Sequence, residues 1–306
     1  MAAIQRSDIN ANVLQTWLYR KTLENFEPNL YFYQMGEKPT FEDGYNTVSW
    51  AKFTQLTVTA ATATLTDWVT PSETAFNATA ITATPTEYGI YVNLSSMLLD
   101  TSAINFVSGA ALEVGNNLAR IVDEVVQTEV MGWSNVTYCS TDHSARADLD
   151  NTDLLAWEYL IKAYTELQAN AAPLIDGYYV AIAHPHVIYD IKKETAITWF
   201  IETNKYVQPE KMIKGEIGAI NGVRIVVSPN VKTFASTVTV YPTLVMWRGA
   251  YWVPTLNGLQ TYITPRAASD SDPLAQRVKV GAKIAFVAKR LQENAMVRLE
   301  SGTTFA

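Results

Sequence analysis

Residues 57–68 read TVTAATATLTDW, which are the residue types of an extended strand with almost nothing large enough to fill a core. Such a segment must lie on a surface that supplies the apolar contact it lacks. The flanks are extended too. TVSWAKF, residues 47–53, sets Val48, Trp50 and Lys52 against Thr47, Ser49 and Ala51, and EYGIYVNLS, residues 87–95, gives a second strand. DWVTPSE, residues 67–73, supplies the bend, because Pro71 cannot continue a ladder. The pattern predicts a two-stranded arm with about fifteen to twenty residues per strand, reaching roughly 50–65 Å. That reach allows the arm to fold back over its own domain or to lie on a neighbouring molecule. Trp68 and Phe76, the large side chains near the bend, are the candidate anchors in a partner's pocket.

Behind the arm the period changes. Ile104, Val107, Ala111, Val114, Leu118, Ile121 and Val125 recur at three and four, predicting a helix over 103–131 with Glu113, Asn116, Asn117, Arg120, Asp123 and Glu124 on its other faces. At 1.5 Å per residue it would be about 40 Å long, a spine. Leu154, Trp157, Ile161, Tyr164 and Leu167 predict a second helix over 152–170, with Asp153 in its first turn, after a loop over 134–153. An N-terminal helix is expected from Ser7 or Asp8, ended by Pro28, with Trp17 on its apolar face and a third candidate contact residue.

The remainder is mainly strands. GYYVAIAHP, residues 177–185, reads as a buried strand with a short helix after it, and Asn221-Gly222 joins two apolar runs as a hairpin. Further strands are expected at 237–248, 251–253 and 259–264, and in VKVGAKIAFVAKR and AMVRLES near the C-terminus. Helices and strands mix without regular alternation, so the fold class is α+β.

Composition narrows the function. With 48% hydrophobic and 17% charged residues the chain has the make-up of a globular protein, and a net charge of -7 argues against a surface that grips nucleic acid through its phosphates. No lysine or arginine lies between Lys52 and Arg120. Looser basic groups, Lys192, Lys193, Lys205, Lys211 and Lys214 and then Arg277, Lys279, Lys283, Lys289 and Arg290, read as solvated faces or subunit contacts. Cys139 is the single cysteine, so neither an internal disulfide nor a zinc ribbon is possible. The N-terminal stretch lacks the basic-then-apolar pattern of a signal peptide, and no apolar run has membrane-spanning length.

Motifs for chemistry are missing. Gly215, Gly218 and Gly222 do not have dinucleotide-fingerprint spacing and read as hairpin glycines. DLDNTD, residues 148–153, lacks the glycine and distal glutamate of a calcium loop. His184 and His186 flank Pro185 with no third ligand near in sequence, and Cys139 with Asp142 and His143 only superficially suggests a nucleophile and base. No catalytic, cofactor-binding or metal site is expected, and no enzyme.

The element order of helical N-terminal arm, Thr/Ala-rich extended arm, spine helix, α+β body and C-terminal strands resembles that of tailed-bacteriophage major capsid proteins. SDINANVLQTWLYRKTLENFEPNLYFYQMGEKP, GYYVAIAHPHVIYDIKKE, GEIGAINGVRIVVSPN and VKVGAKIAFVAKRLQENAMVRLES are similar to segments of a podovirus-type capsid family. The resemblance implies the Johnson fold: an N-terminal arm over 1–40, an extended loop over 41–95, a spine helix of the peripheral domain over 96–135, an axial domain over 136–265 and C-terminal strands of the peripheral domain over 266–306. It implies hexamers and pentamers closing an icosahedral shell around weakly contacted double-stranded DNA, in a virion assembled in the host bacterial cytoplasm, without a membrane. The implied partners are a portal, a cement or decoration protein, and a separate scaffolding protein or none, without a large N-terminal cleavage. Some capsids of this fold weld subunits through an extended-loop lysine. This loop has none beyond Lys52, so overlapping noncovalent arms are expected. The alternatives are an encapsulin-like compartment shell and a Thr-rich phage fibre or adhesin.

Overall fold

The computed structural model describes residues 31–39, 46–54, 56, 58–59, 63–69, 73–101, 106–174, 177–193, 216–220, 222–268 and 272–305. The helix expected from Ser7 or Asp8, with Trp17, lies outside them. In chain order the elements are α1 (Tyr31–Met35), β1 (Val48–Phe53), β2 (Ala78–Ala83), β3 (Thr86–Ser95), α2 (Ser96–Thr101), α3 (Phe106–Met131) and β4 (Val136–Tyr138). There follow α4 (Trp157–Ala169), β5 (Tyr179–Ala183), α5 (Pro185–Lys193), β6 (Glu216–Ile220), β7 (Val223–Val227), β8 (Phe234–Ala235) and β9 (Thr239–Met246). The chain closes with β10 (Tyr251–Trp252), β11 (Thr255–Thr264), β12 (Arg277–Phe286), β13 (Lys289–Arg290) and β14 (Met296–Ser301).

Two sheets share the core. In the three-stranded sheet, β11-β12-β3, the period-2 alternation decides the faces. Tyr88, Ile90, Val92 and Leu94 of β3 and Val278, Val280, Ala282 and Ile284 of β12 turn inward beneath α3, while Gly89, Tyr91, Lys279 and Lys283 face outward. The larger sheet runs β4-β14-β9-β5-β7-β6, with β8 paired to β9. Helices and the spine region cover both its faces, so β5 is buried along its whole length. Val180 and Ile182 join the cluster that contains α3, whereas Tyr179, Ala181 and Ala183 pack with Leu160, Leu167, Val187 and Ile191 of α4 and α5. Gly222, at φ 81°, turns the β6–β7 hairpin, and a Cβ there would come within 2.5 Å of the Tyr164 ring.

Several expectations need correction. The C-terminal strands do not stay together: β12 pairs with β3 under the spine, but β14 inserts between β9 and β4 of the larger sheet. Conversely, β11, within the span expected to be axial, pairs with β12. The second helix starts at Trp157, so Asp153 lies before its first turn; its carboxylate accepts the Asp150 amide at 2.8 Å and is 2.8 Å from His143 Nδ1. The loop expected over 134–153 contains β4, which pairs in parallel with β14. Along α3 the buried stripe passes through Leu118, Ala119, Val122, Asp123, Val126, Gln127 and Val130, leaving Ile121 and Val125 half-buried.

Spine, body and C-terminus are fastened by charge. Glu300 is 0% exposed, and Arg146 donates to both its oxygens, Nε to Oε2 at 2.7 Å and Nη2 to Oε1 at 2.6 Å. Arg298 Nε stands 2.8 Å from Glu300 Oε1, close enough for an ion pair but not aligned for a hydrogen bond, while its Nη1 donates to the Met131 carbonyl at the end of α3. Arg290 Nη1 donates to the Gly132 carbonyl, so two guanidinium groups complement the negative end of the spine dipole.

Candidate assembly interface

β1 and β2 form an antiparallel ribbon with six residue pairs, from Val48–Ala83 to Phe53–Ala78, extended by a Thr54 amide to Asn77 carbonyl bond of 2.9 Å. This is shorter than the ladder expected from composition. Among the described residues of 56–77 there is no further strand pairing, and the small side chains that suit a strand leave nothing to hold one apart from a partner. The ribbon joins the body through Trp50, which meets Trp252 edge-on, and through Lys52 Nζ, which donates to the Leu291 carbonyl at 3.4 Å. Between ribbon and body runs a groove of about 920 Å³ lined by Trp50, Lys52, Ile81, Trp252 and the 291–294 turn.

From the end of the ladder outward the arm presents apolar surface to water. Phe53, Leu56, Val58, Leu65, Val69 and Phe76 are all exposed. Phe76 is 61% exposed and stacks on Phe53 with ring centroids 5.1 Å apart, so it is positioned by its own ribbon. Trp68 is 99% exposed and stands at φ 64°, in a turn where the Val69 amide bonds the Thr66 carbonyl at 3.1 Å. A bulky residue in this left-handed region stores strain of about 1–3 kcal/mol, which a protein retains where a site uses it. With Asp67 and Glu73 beside it and no cation from Phe53 to Ala119, the tip is apolar and acidic.

Each of the side chains singled out for chemistry has a packing or hydrogen-bonding role within the fold. Cys139 is 1% exposed and burial, then the charges of Asp153 and Glu300, push its thiol far above the usual range. His143 pairs with Asp153. His184 and His186 do lie together, with ring centroids 4.5 Å apart, but the His186 amide donates to His184 Nδ1 at 3.2 Å and His186 Nδ1 bonds Tyr241 Oη at 3.1 Å. Burial, then the neighbouring His186, lowers His184 to about 4. Among the described residues no group of three or more His, Cys, Asp or Glu side chains is placed to hold a metal, and no helix is long and apolar enough to cross a membrane. Of the basic groups, Lys283 pairs with Glu87 at 2.7 Å, and Lys289 and Arg290 lie 3.7 and 3.4 Å from Glu129. Lys205, Lys211 and Lys214 lie outside the described residues.

Sequence reasoning missed the Trp50–Trp252 contact, for which no local signal exists, and the burial of Asp123. The helical run Ala119, Val122, Val126 and Val130 marks that face as apolar, but nothing in it singles out the carboxylate beside it as buried.

Comparison with solved structures places this architecture. The capsid of Ralstonia phage GP4 superposes with a TM-score of 0.71 at 16% identity, covering 88% of this chain and 87% of that one. The Cyanophage Pam1 capsid gives 0.70 at 12% identity, covering 92% and 93%. A virus-like particle from Pyrococcus furiosus gives 0.55 at 10% identity, covering 94% and 99%. A search of curated protein sequences finds no match. The family described as "Phage capsid protein" matches over residues 77–299, from the base of the arm through α3 and both sheets into β14. The chain therefore belongs to the phage capsid protein family, whose members are structural proteins of the shell.

Proposed function

We propose that this chain is the major capsid protein of a tailed phage, assembling into the hexamers and pentamers of an icosahedral head around double-stranded DNA. In this reading the arm beyond its β1–β2 ribbon leaves the subunit and lies on a neighbour, α3 with β3, β11 and β12 forms the peripheral part, and the larger sheet with α4 and α5 forms the axial part. Trp17, Trp68 and Phe76 are inter-subunit contacts, Phe76 working with Phe53. The shell is noncovalent, has no catalytic role, and is built in the host cytoplasm with a portal, a separate scaffolding protein and a cement or decoration protein.

One observation carries the reading: a strained, almost fully exposed tryptophan at the end of an arm whose apolar residues remain in water. A neighbour that covers them supplies the interior the arm lacks. Electron microscopy of the protein expressed alone and with its neighbouring reading frames, beside a variant in which residues 56–74 are replaced by a short turn, tests this. Shells or rings that vanish with the arm support it; a monomer in every context, indifferent to the deletion, overturns it.

A second reading, an encapsulin-like compartment, is favoured by the fold shared with the Pyrococcus furiosus particle. The ultraviolet absorbance ratio of purified particles separates the two, since a genome container carries nucleic acid and a cargo compartment carries protein.

A further inference from the structure

Residues 31–37 cross the middle of the spine. Phe32 is fully buried beside Val122, Val126 and Tyr251. Its amide donates to Asp123 Oδ1 at 2.9 Å, the Tyr33 amide donates to the same carboxyl, and Tyr251 Oη donates to the Phe32 carbonyl. The chain leaves through Gly36, where a Cβ would come within 2.7 Å of the Tyr251 ring. It is then stitched to β10 by the Glu37 amide on Tyr251 O at 3.2 Å and the Val253 amide on Glu37 O at 2.8 Å. The docking of this segment converges on Asp123 and Tyr251.

Asp123 is 2% exposed, and no lysine, arginine or histidine among the described residues is recorded in an ion pair with it. From α1 the titratable groups are Tyr31 and Tyr33, the latter bonded to Thr255 Oγ1 at 3.3 Å. From the exit segment they are Glu37 and Lys38, whose Nζ lies over the Tyr33 ring at 4.1 Å. From β10 it is Tyr251, whose hydroxyl burial, then the Asp123 charge, pushes up. On α3 itself Arg120 and Glu124 are exposed, Glu124 pairing with Lys232 at 3.0 Å, and Glu129 faces Lys289 and Arg290. A carboxylate buried on two amides without a countercharge is costly in its charged form, and releasing the segment would return water to it.

We propose that Asp123 is a proton-dependent latch for residues 31–37: the segment docks more tightly on the spine when the carboxyl is neutral and is released more readily when it is charged. Burial raises the carboxyl to about 6 against the opposing pull of the two amides. A group whose docked value lies above its free value takes up a proton on docking. The gain is therefore complete below the free carboxylate range near 4 and lost as pH rises through about 6, at about tenfold in the docking equilibrium per pH unit between them.

Hydrogen exchange of the Phe32 and Tyr33 amides at about pH 5 and about pH 7.5, corrected for intrinsic rates and referenced to β5 amides, reads the latch directly. The expected result is several-fold or greater extra protection at the lower pH, abolished in Asp123→Asn. Tyr251→Phe, which removes the bond to the Phe32 carbonyl and leaves the carboxyl, is expected to lower protection at both pH values and keep the ratio. A wild-type ratio of one, or a ratio that survives Asp123→Asn, overturns the proposal. Should Asp123→Asn not fold, the wild-type and Tyr251→Phe ratios decide alone. Because the experiment reads contacts within one chain, its outcome does not depend on the capsid assignment.

Discussion

The indole of Trp50, on the arm, meets that of Trp252, on the body, edge to face, with ring centroids 5.6 Å apart and planes at 87°. Such a pair contributes about 0.5–1.5 kcal/mol beyond the area it buries. Trp50→Ala is expected to loosen the ribbon without unfolding the sheets. Trypsin reads the change at Lys52, the last lysine or arginine before Arg120: cleavage there should accelerate several-fold.

Trp68 makes the opposite case. Being 99% exposed, it contributes little to the isolated subunit, so Trp68→Ala is expected to change unfolding free energy by less than about 0.5 kcal/mol. Trp68→Gly, which relieves the strain at φ 64°, should stabilise the subunit slightly. Both are expected to raise the concentration at which particles form, read by light scattering. Normal assembly by both variants would remove Trp68 from the interface.

Glu300 binds two arginines where no water reaches it. Glu300→Ala leaves Arg298 buried without its countercharge and is expected to cost about 3–5 kcal/mol in urea unfolding. Glu300→Gln, which keeps the shape and some hydrogen bonding, should cost less.

The His143–Asp153 pair gives a pH signature. The hydrogen bond to Asp153 raises His143, opposed by desolvation and helped by the charges of Asp153, Asp150 and Asp148. Burial pushes the Asp153 carboxyl up, but bonds from Ser140, the Asp150 amide and His143 outweigh it and hold it below the usual range. The histidine's contribution is complete below its free value, about 6.5, and is lost as pH rises through its higher folded value; the aspartate's is complete above about 3.9 and is lost as pH falls through its lower one. The pair is strongest between these limits. Titration of the His143 ring by NMR should give a midpoint above the free value, and Asp153→Asn should bring it down.

Cys139 should be silent in the folded protein. A thiol reagent is expected to leave it unmodified in buffer and to label it fully in denaturant; rapid labelling of native protein would contradict its burial.

The local architecture was legible where a residue's surroundings are its sequence neighbours. The spine's apolar period, the β3 alternation and the hairpin glycine Gly222 each specify their element within a few residues. What depends on distant partners was not. Nothing in AMVRLES reveals that β14 will sit between β9 and β4, because a buried strand reads alike in either sheet. Asp123 counted as a surface residue because a carboxylate inside needs donors, and its donors are the amides of residues far away in sequence. At the arm, composition exposed the missing interior, but the length of the ladder depended on side chains too small to extend it.

The position of β14 also bears on how the protein is made. Because β14 is an interior strand that follows every other strand of its sheet in sequence, the larger sheet stays open until residues 296–301 have been made. At about 5–20 residues per second, the arm leaves the ribosome roughly ten to forty seconds before the strand that closes its own body. A nascent chain thus carries the exposed apolar tip of its arm well before the larger sheet is closed, and a chain cut short before β14 lacks the strand that closes it.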